Sequence, residues 1–203
     1  MSAWRWAAGP ARLAALAVLL PATAHAHLVT TGLGPLYDGI GHLLLSPDDL
    51  VPVVAMALLA GLSGKAASRW ALFVLPLAWV VGGLAGDRLH GPLPRGTPAG
   101  VSFLVLGILV ATGRRLPPAL VAVLAAALGL VHGWLNGVTL AVAGRDALGL
   151  AGIAVAAFVL VALMAAAVVS LRPPWTRIAV RVAGSWIAAT GLLLLGWTLS
   201  GRG

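Results

Sequence analysis

Long apolar runs separated by short polar loops fill most of the chain after residue 46. An apolar run of roughly 20 residues is long enough to cross a bilayer as a helix. The six runs are residues 47–62, 70–85, 98–112, 118–142, 147–171 and 178–199. The pattern therefore predicts an all-α, polytopic membrane helix bundle with six transmembrane helices. The first and third runs are short, so these helices would tilt little or extend into the flanking turns.

The composition supports a membrane protein, because 61% of the 203 residues are hydrophobic and only 9% are charged. The net charge of +8 comes from basic residues that stand singly or in pairs between apolar runs. It therefore indicates membrane topology, and no nucleic-acid partner is expected. Cysteine is absent, which excludes disulfides, thiolate metal sites and thiol nucleophiles. Glutamate is absent as well, so the carboxylate side chains are those of Asp38, Asp48, Asp49, Asp87 and Asp146.

The first residues have the three parts of a secretory signal peptide. Arg5 and Arg12 form its positive region, Leu13–Leu20 its apolar region, and a small-x-small pattern ends at residue 26. The apolar region is too short to span comfortably, which favours cleavage over an uncleaved first helix. Cleavage would leave His27 first, either as a chelating amine and imidazole or simply as a processed end. The two predicted parts are a signal peptide, residues 1–26, and a transmembrane domain, residues 27–203.

The basic residues predict the orientation through the positive-inside rule. With the mature N-terminus in the periplasm, the inner loops would carry more basic residues than the outer loops. The inner set is Lys65, Arg69, Arg114, Arg115, Arg172, Arg177 and Arg181, and the outer set is Arg88, Arg95, Arg145 and Arg202. This orientation predicts a multi-pass protein of the bacterial inner membrane. All five aspartates, with His27, His42, His90 and His132, would then lie on its outer side.

Four ionisable residues are crowded together at the mouth of the first predicted span: Asp38, His42, Asp48 and Asp49. Ionisable groups are costly at such a place and usually mark a pathway or a binding site. Carboxylates beside an imidazole also suit a divalent metal ion. Alternatively, Asp48 and Asp49 only cap a helix, because Ser46-Pro47 is a typical helix start. Since the span is short, we expect a helical or re-entrant segment before it, around residues 36–45.

Within that preceding segment, Asp38 and His42 are four residues apart and would share one helical face. A carboxylate there could orient the imidazole and raise its basicity, as second-layer groups do at metal sites. An ordinary interfacial ion pair is equally compatible with the spacing.

A second polar group lies inside the fourth predicted run. His132 and Asn136 are one turn apart and face the same way. Polar groups inside an apolar helix are expected to face the bundle interior. They would either complete a pocket with the first cluster or only hydrogen-bond between helices. Gly133 and Gly137 form a small-xxx-small pair that would permit close helix contact.

These features together resemble the HupE/UreJ family of hydrogenase- and urease-associated membrane proteins. His42 and Asp48 match that family's His-x5-Asp-His element, whose last position is Asp49 here. His132 and Gly133 match its His-Gly-x-x-His-Gly element, whose second histidine position is Asn136 here.

The resemblance implies a six-helix permease for nickel or cobalt, but three family ligands are replaced in this chain. Besides the two histidine positions, the acid at the start of the third helix is missing from the segment Thr97-Pro98-Ala99-Gly100. Carboxylate and amide groups in place of imidazoles shift a site towards harder and less selective oxygen ligation. The resemblance therefore implies the family's fold more strongly than its nickel selectivity.

We therefore expect a metal-ion permease or metal-binding protein that takes a divalent transition metal from the periplasmic side. The expected metal ligands are His42, Asp48, Asp49 and His132, with support from Asp38, Asn136, Gly133 and Gly137. No resident cofactor is firmly implied, since Ni²⁺ or Co²⁺ would be the transported ligand.

The alternative function is a non-transporting accessory or assembly subunit of a metalloenzyme system, with maturation proteins as its partners. It is favoured by the few polar groups in the inner half of the predicted bundle, because a permeating ion needs steps all the way through. A homo-oligomer is compatible with either function. An enzyme is not expected. Gly61-Leu62-Ser63-Gly64 resembles an intramembrane serine protease motif, but Ser63 and His132 are predicted in opposite halves, beyond the ~3 Å that a base requires.

Overall fold

The computed structural model describes residues 30–89, 96–142, 147–171 and 173–200. Within those ranges the chain forms seven α-helices and no strand, which confirms the predicted all-α class. The helices are α1 (Pro35–Leu45), α2 (Pro47–Ser63), α3 (Lys65–Leu89), α4 (Gly96–Thr112), α5 (Pro118–Val142), α6 (Ala147–Ser170) and α7 (Pro174–Leu199). The predicted signal peptide, His27, His90 and Asp146 lie outside the described residues.

Helices α2 to α7 coincide with the six apolar runs, and α1 occupies the short segment expected before the first of them. By length and apolar composition, α3, α5, α6 and α7 can each cross a membrane. The bent pair α1 and α2 could form a fifth span, whereas α4 is shorter, with 17 residues. The described part of the chain is thus a multi-pass membrane protein with four candidate spans, or up to five.

A break at Ser46 separates α1 from α2 and bends the pair by 76°. A residue before proline is disfavoured in the helical region because the proline ring crowds its backbone. Ser46 precedes Pro47 and is accordingly extended, with φ −99° and ψ 100°. It holds the N-cap position of α2, but the capping hydrogen bond typical of serine is not formed. The bend lets α1 pack against α6, where Gly39 lies directly on the backbone of Gly149.

Helix α2 is the centre of the bundle and contacts each of the other described helices. Most of its middle is buried, and Val53, Met56 and Leu59 are completely so. Helix α7 lies at the periphery, mainly against α4, and exposes Trp186 and Leu193. Large exposed apolar side chains on outer helices are what a lipid-facing surface requires, since lipid tails are as apolar as leucine.

Helices α3 and α5 are in backbone contact along a line of glycines. The close contact predicted at Gly133 and Gly137 is present. A Cβ atom at Gly133 would overlap the carbonyl of Trp79, and one at Gly137 would overlap the carbonyl of Gly83. In membranes, small residues at such contacts allow the van der Waals packing that holds helices together.

We expect Gly137→Leu to destabilise the protein because the added side chain must push α3 and α5 apart. Overpacking of a tight contact costs about 1–3 kcal/mol or more. The matched control is Gly196→Leu in α7, where an added Cβ meets no atom within 4 Å. Thermal unfolding in mild detergent should show a clear loss for Gly137→Leu and little change for Gly196→Leu. Equal transitions for both variants would contradict the contact.

Candidate functional site

The first turn of α2 places a carboxylate inside the bundle, against α5. Asp49 Oδ1 lies 2.8 Å from His132 Nδ1, and Asp49 Oδ2 accepts a hydrogen bond of 3.0 Å from Asn136 Nδ2. His132 and Asn136 lie one turn apart on α5, so both reach the same carboxylate. The three residues are buried, with only 1% of His132 and 4% of Asn136 exposed. Both oxygens of Asp49 are therefore bound, as a buried carboxylate requires.

Helix α1 adds a second imidazole to this group. His42 Nε2 lies 2.6 Å from Asn136 Oδ1 and 3.5 Å from Asp49 Oδ2. Because the chain bends at Ser46, α1 approaches the start of α2 from the side and carries His42 onto Asn136. His42 and His132 therefore belong to one hydrogen-bonded group, with the Asp49 carboxylate between them.

Helices α3 and α4 complete the surroundings of His132. Ser102 Oγ from α4 lies 3.0 Å from His132 Nε2. The ring of Trp79 from α3 lies against the imidazole, with centroids 5.6 Å apart. The Trp79 indole N–H is buried and has no hydrogen-bond acceptor among the described residues. We call His42, Asp49, Ser102, His132 and Asn136 the Asp49 network.

The donors and acceptors of the Asp49 network are mutually consistent. An ionised carboxylate only accepts hydrogen bonds, so His132 Nδ1 donates to Asp49. The Asn136 amide nitrogen donates to Asp49 and to the His132 carbonyl at 2.9 Å, which leaves its oxygen to accept from His42. With a neutral imidazole, His132 Nε2 accepts from the Ser102 hydroxyl. Each of these hydrogen bonds therefore has one donor and one acceptor, and together they connect α1, α2, α4 and α5.

The structure separates the predicted site residues into two groups. His42, Asp49, His132 and Asn136 are brought together, and Gly133 and Gly137 support them through the α3–α5 contact. Asp48 is exposed in the first turn of α2, outside the hydrogen bonds of the network. Asp38 accepts hydrogen bonds from the Thr31 backbone and hydroxyl, at 2.6 and 2.7 Å. His42 contacts Asn136, and the support expected from Asp38 stays a prediction.

Two of the alternative interpretations can now be compared with the contacts. Capping alone does not describe Asp49, because its side chain is buried and bound to α5. Helix capping is still a sufficient interpretation of Asp48, which lies in the first turn of α2 and is exposed. Interhelical hydrogen bonding does occur at His132 and Asn136, so that interpretation stays compatible with the structure.

In the described part of the chain, no group of three or more histidine or aspartate side chains is arranged to hold a metal ion. In the Asp49 network, the nitrogen and oxygen atoms that could bind a metal form hydrogen bonds with one another instead. His132 uses Nδ1 on Asp49 and Nε2 on Ser102. In this conformation a metal ion would have to displace hydrogen bonds before it could reach these atoms.

Comparison with known proteins decides the family. The family model described as HupE / UreJ protein matches residues 13–194. This chain belongs to the HupE/UreJ family. Protein HupE of Rhizobium leguminosarum bv. viciae is similar to it, with 31% identity over 190 residues, which cover 90% of this chain and 94% of that protein. No solved structure matches the chain.

Two members of the site in this HupE/UreJ protein were missed by the sequence reasoning. Ser102 and Trp79 lie in predicted spans other than that of His132, and neither belongs to a motif. Ser102 carried a weak signal, since a lone hydroxyl inside an apolar run needs a partner. Nothing in the sequence indicated Trp79, because a tryptophan in an apolar helix is more often simply buried or at the interface.

Ser102, His132 and Asp49 contact one another in the order of a Ser–His–Asp triad. Nucleophilic serines of this kind work beside backbone N–H groups that bind the developing oxyanion. Ser102 instead lies inside α4, where backbone N–H groups are used within the helix. The two hydrogen bonds therefore fit a structural role, in which Asp49 and Ser102 fix the orientation of the His132 ring.

We expect Asp49→Ala to destabilise the protein more than Asp48→Ala. Removal of the Asp49 carboxylate leaves the N–H groups of His132 and Asn136 that bind it without an acceptor in the bundle interior. An unsatisfied buried donor costs about 1–3 kcal/mol. The neighbouring Asp48 is exposed, and exposed substitutions usually stay within about 0.5 kcal/mol. Thermal unfolding of both variants measures the difference, and an equal loss would contradict the network.

Proposed function

We propose that this protein binds a divalent transition metal, with nickel and cobalt as first candidates, at the Asp49 network and carries it across the membrane. The observation that carries this proposal is a buried carboxylate between two imidazoles and an amide, at the break between two helices. Broken helices are where membrane transporters build ion sites. Family membership supports metal handling as the role.

The donor atoms suit a cation of intermediate hardness. Imidazole nitrogen accepts nickel, cobalt and zinc, while carboxylate and amide oxygens extend the range towards harder ions. The candidate ligands are His42, Asp49 and His132, with the Asn136 oxygen in support. Each of these groups now participates in a hydrogen bond.

The distribution of charge supports an outward-facing site. Of the described charged residues, the four aspartates and Arg88 lie at one end of the bundle, and the other six basic residues lie at the opposite end: Lys65, Arg69, Arg114, Arg115, Arg177 and Arg181. We propose that α4 is also a span, which gives six spans after a cleaved signal peptide. The acidic end then faces the periplasm of a bacterial inner membrane, as the positive-inside rule requires. Exposed Asp48 would attract cations to this end without holding them.

We expect nickel or cobalt to bind the full chain in lipid nanodiscs and to accumulate in vesicles that contain it. The double variant His42→Ala with His132→Ala should lose both activities, because both imidazoles are removed. Asp87→Asn is the control for general attraction of cations, since this exposed carboxylate lies at the same end of the bundle but outside the Asp49 network. Titration calorimetry measures binding, and metal analysis of the vesicles measures uptake. Equal behaviour of the wild type and the double variant would overturn the proposal.

A second candidate function is that of a non-transporting accessory subunit. The observation that favours it is the interior below Asp49, where α2 buries Val53, Met56, Leu59 and Ala60 completely. From Asp49 to Ser63 this apolar path measures about 21 Å at 1.5 Å per residue. A permeating ion would need polar steps along it.

The accessory function predicts metal binding without uptake, or copurification of a partner complex without retained metal. Crosslinking in native membranes followed by purification of the full chain would detect such a complex. Uptake that depends on Asp49 in vesicles holding only this protein would exclude the accessory function.

A further inference from the structure

A groove opens between α3 and α6 at the end of the bundle opposite the Asp49 network. Its volume is about 410 Å³. Polar side chains at the helix ends line its mouth, namely Lys65, Ser68, Arg69 and Ser170. Apolar side chains line the part further inside, among them Leu72, Val161, Ala162 and Ala165. The groove is therefore polar where the helices end and apolar towards the membrane interior.

The depth of the groove matches the boundary between lipid headgroups and acyl chains. From Lys65 to Leu72 along α3 the rise is about 10 Å, and from Ser170 to Val161 along α6 it is about 13 Å. Lys65 begins α3 and Ser170 ends α6, so both mark the level at which the helices leave the apolar region. A ligand that fills the groove must have a polar head and an apolar tail of about this length.

The positive charges of Lys65 and Arg69 at the mouth of the groove favour an anionic ligand. Elsewhere at this end, Arg177 donates to the Leu62 carbonyl and Arg181 to the Ala111 carbonyl, near the last turns of α2 and α4. Lys65 and Arg69 are exposed, and neither makes a hydrogen bond or ion pair with another residue in the described ranges. The described acids lie at the other end. Two cationic groups are thus available side by side above an apolar wall.

We propose that this groove binds an anionic phospholipid, with its phosphate between Lys65 and Arg69 and one acyl chain along Ala162 and Ala165. Basic pockets between transmembrane helices on the cytoplasmic side are suited to acidic lipid headgroups. A soluble phosphate would leave the apolar wall without a partner, and a neutral lipid would leave the two cations without a counterion. This proposal is independent of the metal function, because it concerns the opposite end of the bundle.

Native mass spectrometry of the full chain, with phosphatidylglycerol and phosphatidylcholine offered at equal concentration, tests the proposal. We expect the wild type to retain phosphatidylglycerol preferentially. The variant K65A/R69A should lose this retention about tenfold. The matched control is R114A/R115A, which removes the same charge from exposed residues at the same end but outside the groove. A loss as large in the control as in K65A/R69A would overturn the proposal, because it would indicate only general attraction.

A second variant tests the acyl-chain part without changing charge. Ala162→Phe should fill the groove and reduce phosphatidylglycerol retention, with thermal unfolding as the check on folding. If that variant fails to fold, Ala166→Phe, at an exposed position of the same wall, replaces it. Full retention by a folded groove-filling variant would overturn the proposal. Displacement of the lipid by an equal concentration of glycerol phosphate would also overturn it, since the site would then recognise a soluble phosphate.

Discussion

A carboxylate inside an apolar helix bundle is stable only when donors satisfy its oxygens, because no water replaces a missing hydrogen bond there. Asp49 meets this condition through His132 and Asn136 on α5, with His42 from α1 close by. The condition constrains more than the site itself. Helices α2 and α5 must stay in register to keep these bonds, and α1 must stay folded over the start of α2.

The break at Ser46 and the glycine contact are the two backbone features that make the network possible. Pro47 forces the preceding residue out of the helical region, so α1 turns towards the bundle and brings His42 to Asn136. The glycines of α3 and α5 let the two backbones touch, which places Trp79 against His132. The break at Ser46 thus positions the His42 imidazole, and the glycine contact packs Trp79 against the His132 imidazole.

The two ends of the bundle have opposite chemistry, with an apolar interior between them. The acidic end contains the Asp49 network, whose members form hydrogen bonds with one another. The basic end uses Arg177 and Arg181 near helix C-termini and leaves Lys65 and Arg69 at an amphipathic groove. Between the ends, the buried part of α2 supplies only apolar side chains from Val53 to Leu62. Any passage of an ion through the bundle therefore requires a change in helix packing.

Local pattern predicted the helices and most of the network, and comparison of the whole sequence decided the family. Apolar runs predicted α2 to α7, and the cost of polar groups in such runs singled out His132 and Asn136. The placement of individual side chains needed the tertiary structure. Asp48 and Asp49 are adjacent and chemically identical, yet helical rotation exposes the first and buries the second. The contacts of Ser102 and Asp38 also depend on the tertiary structure. Ser102 contacts His132 on another helix, and Asp38 contacts Thr31, which precedes α1. Sequence spacing reveals which residues share a helix face, but which neighbour that face meets depends on how the helices pack.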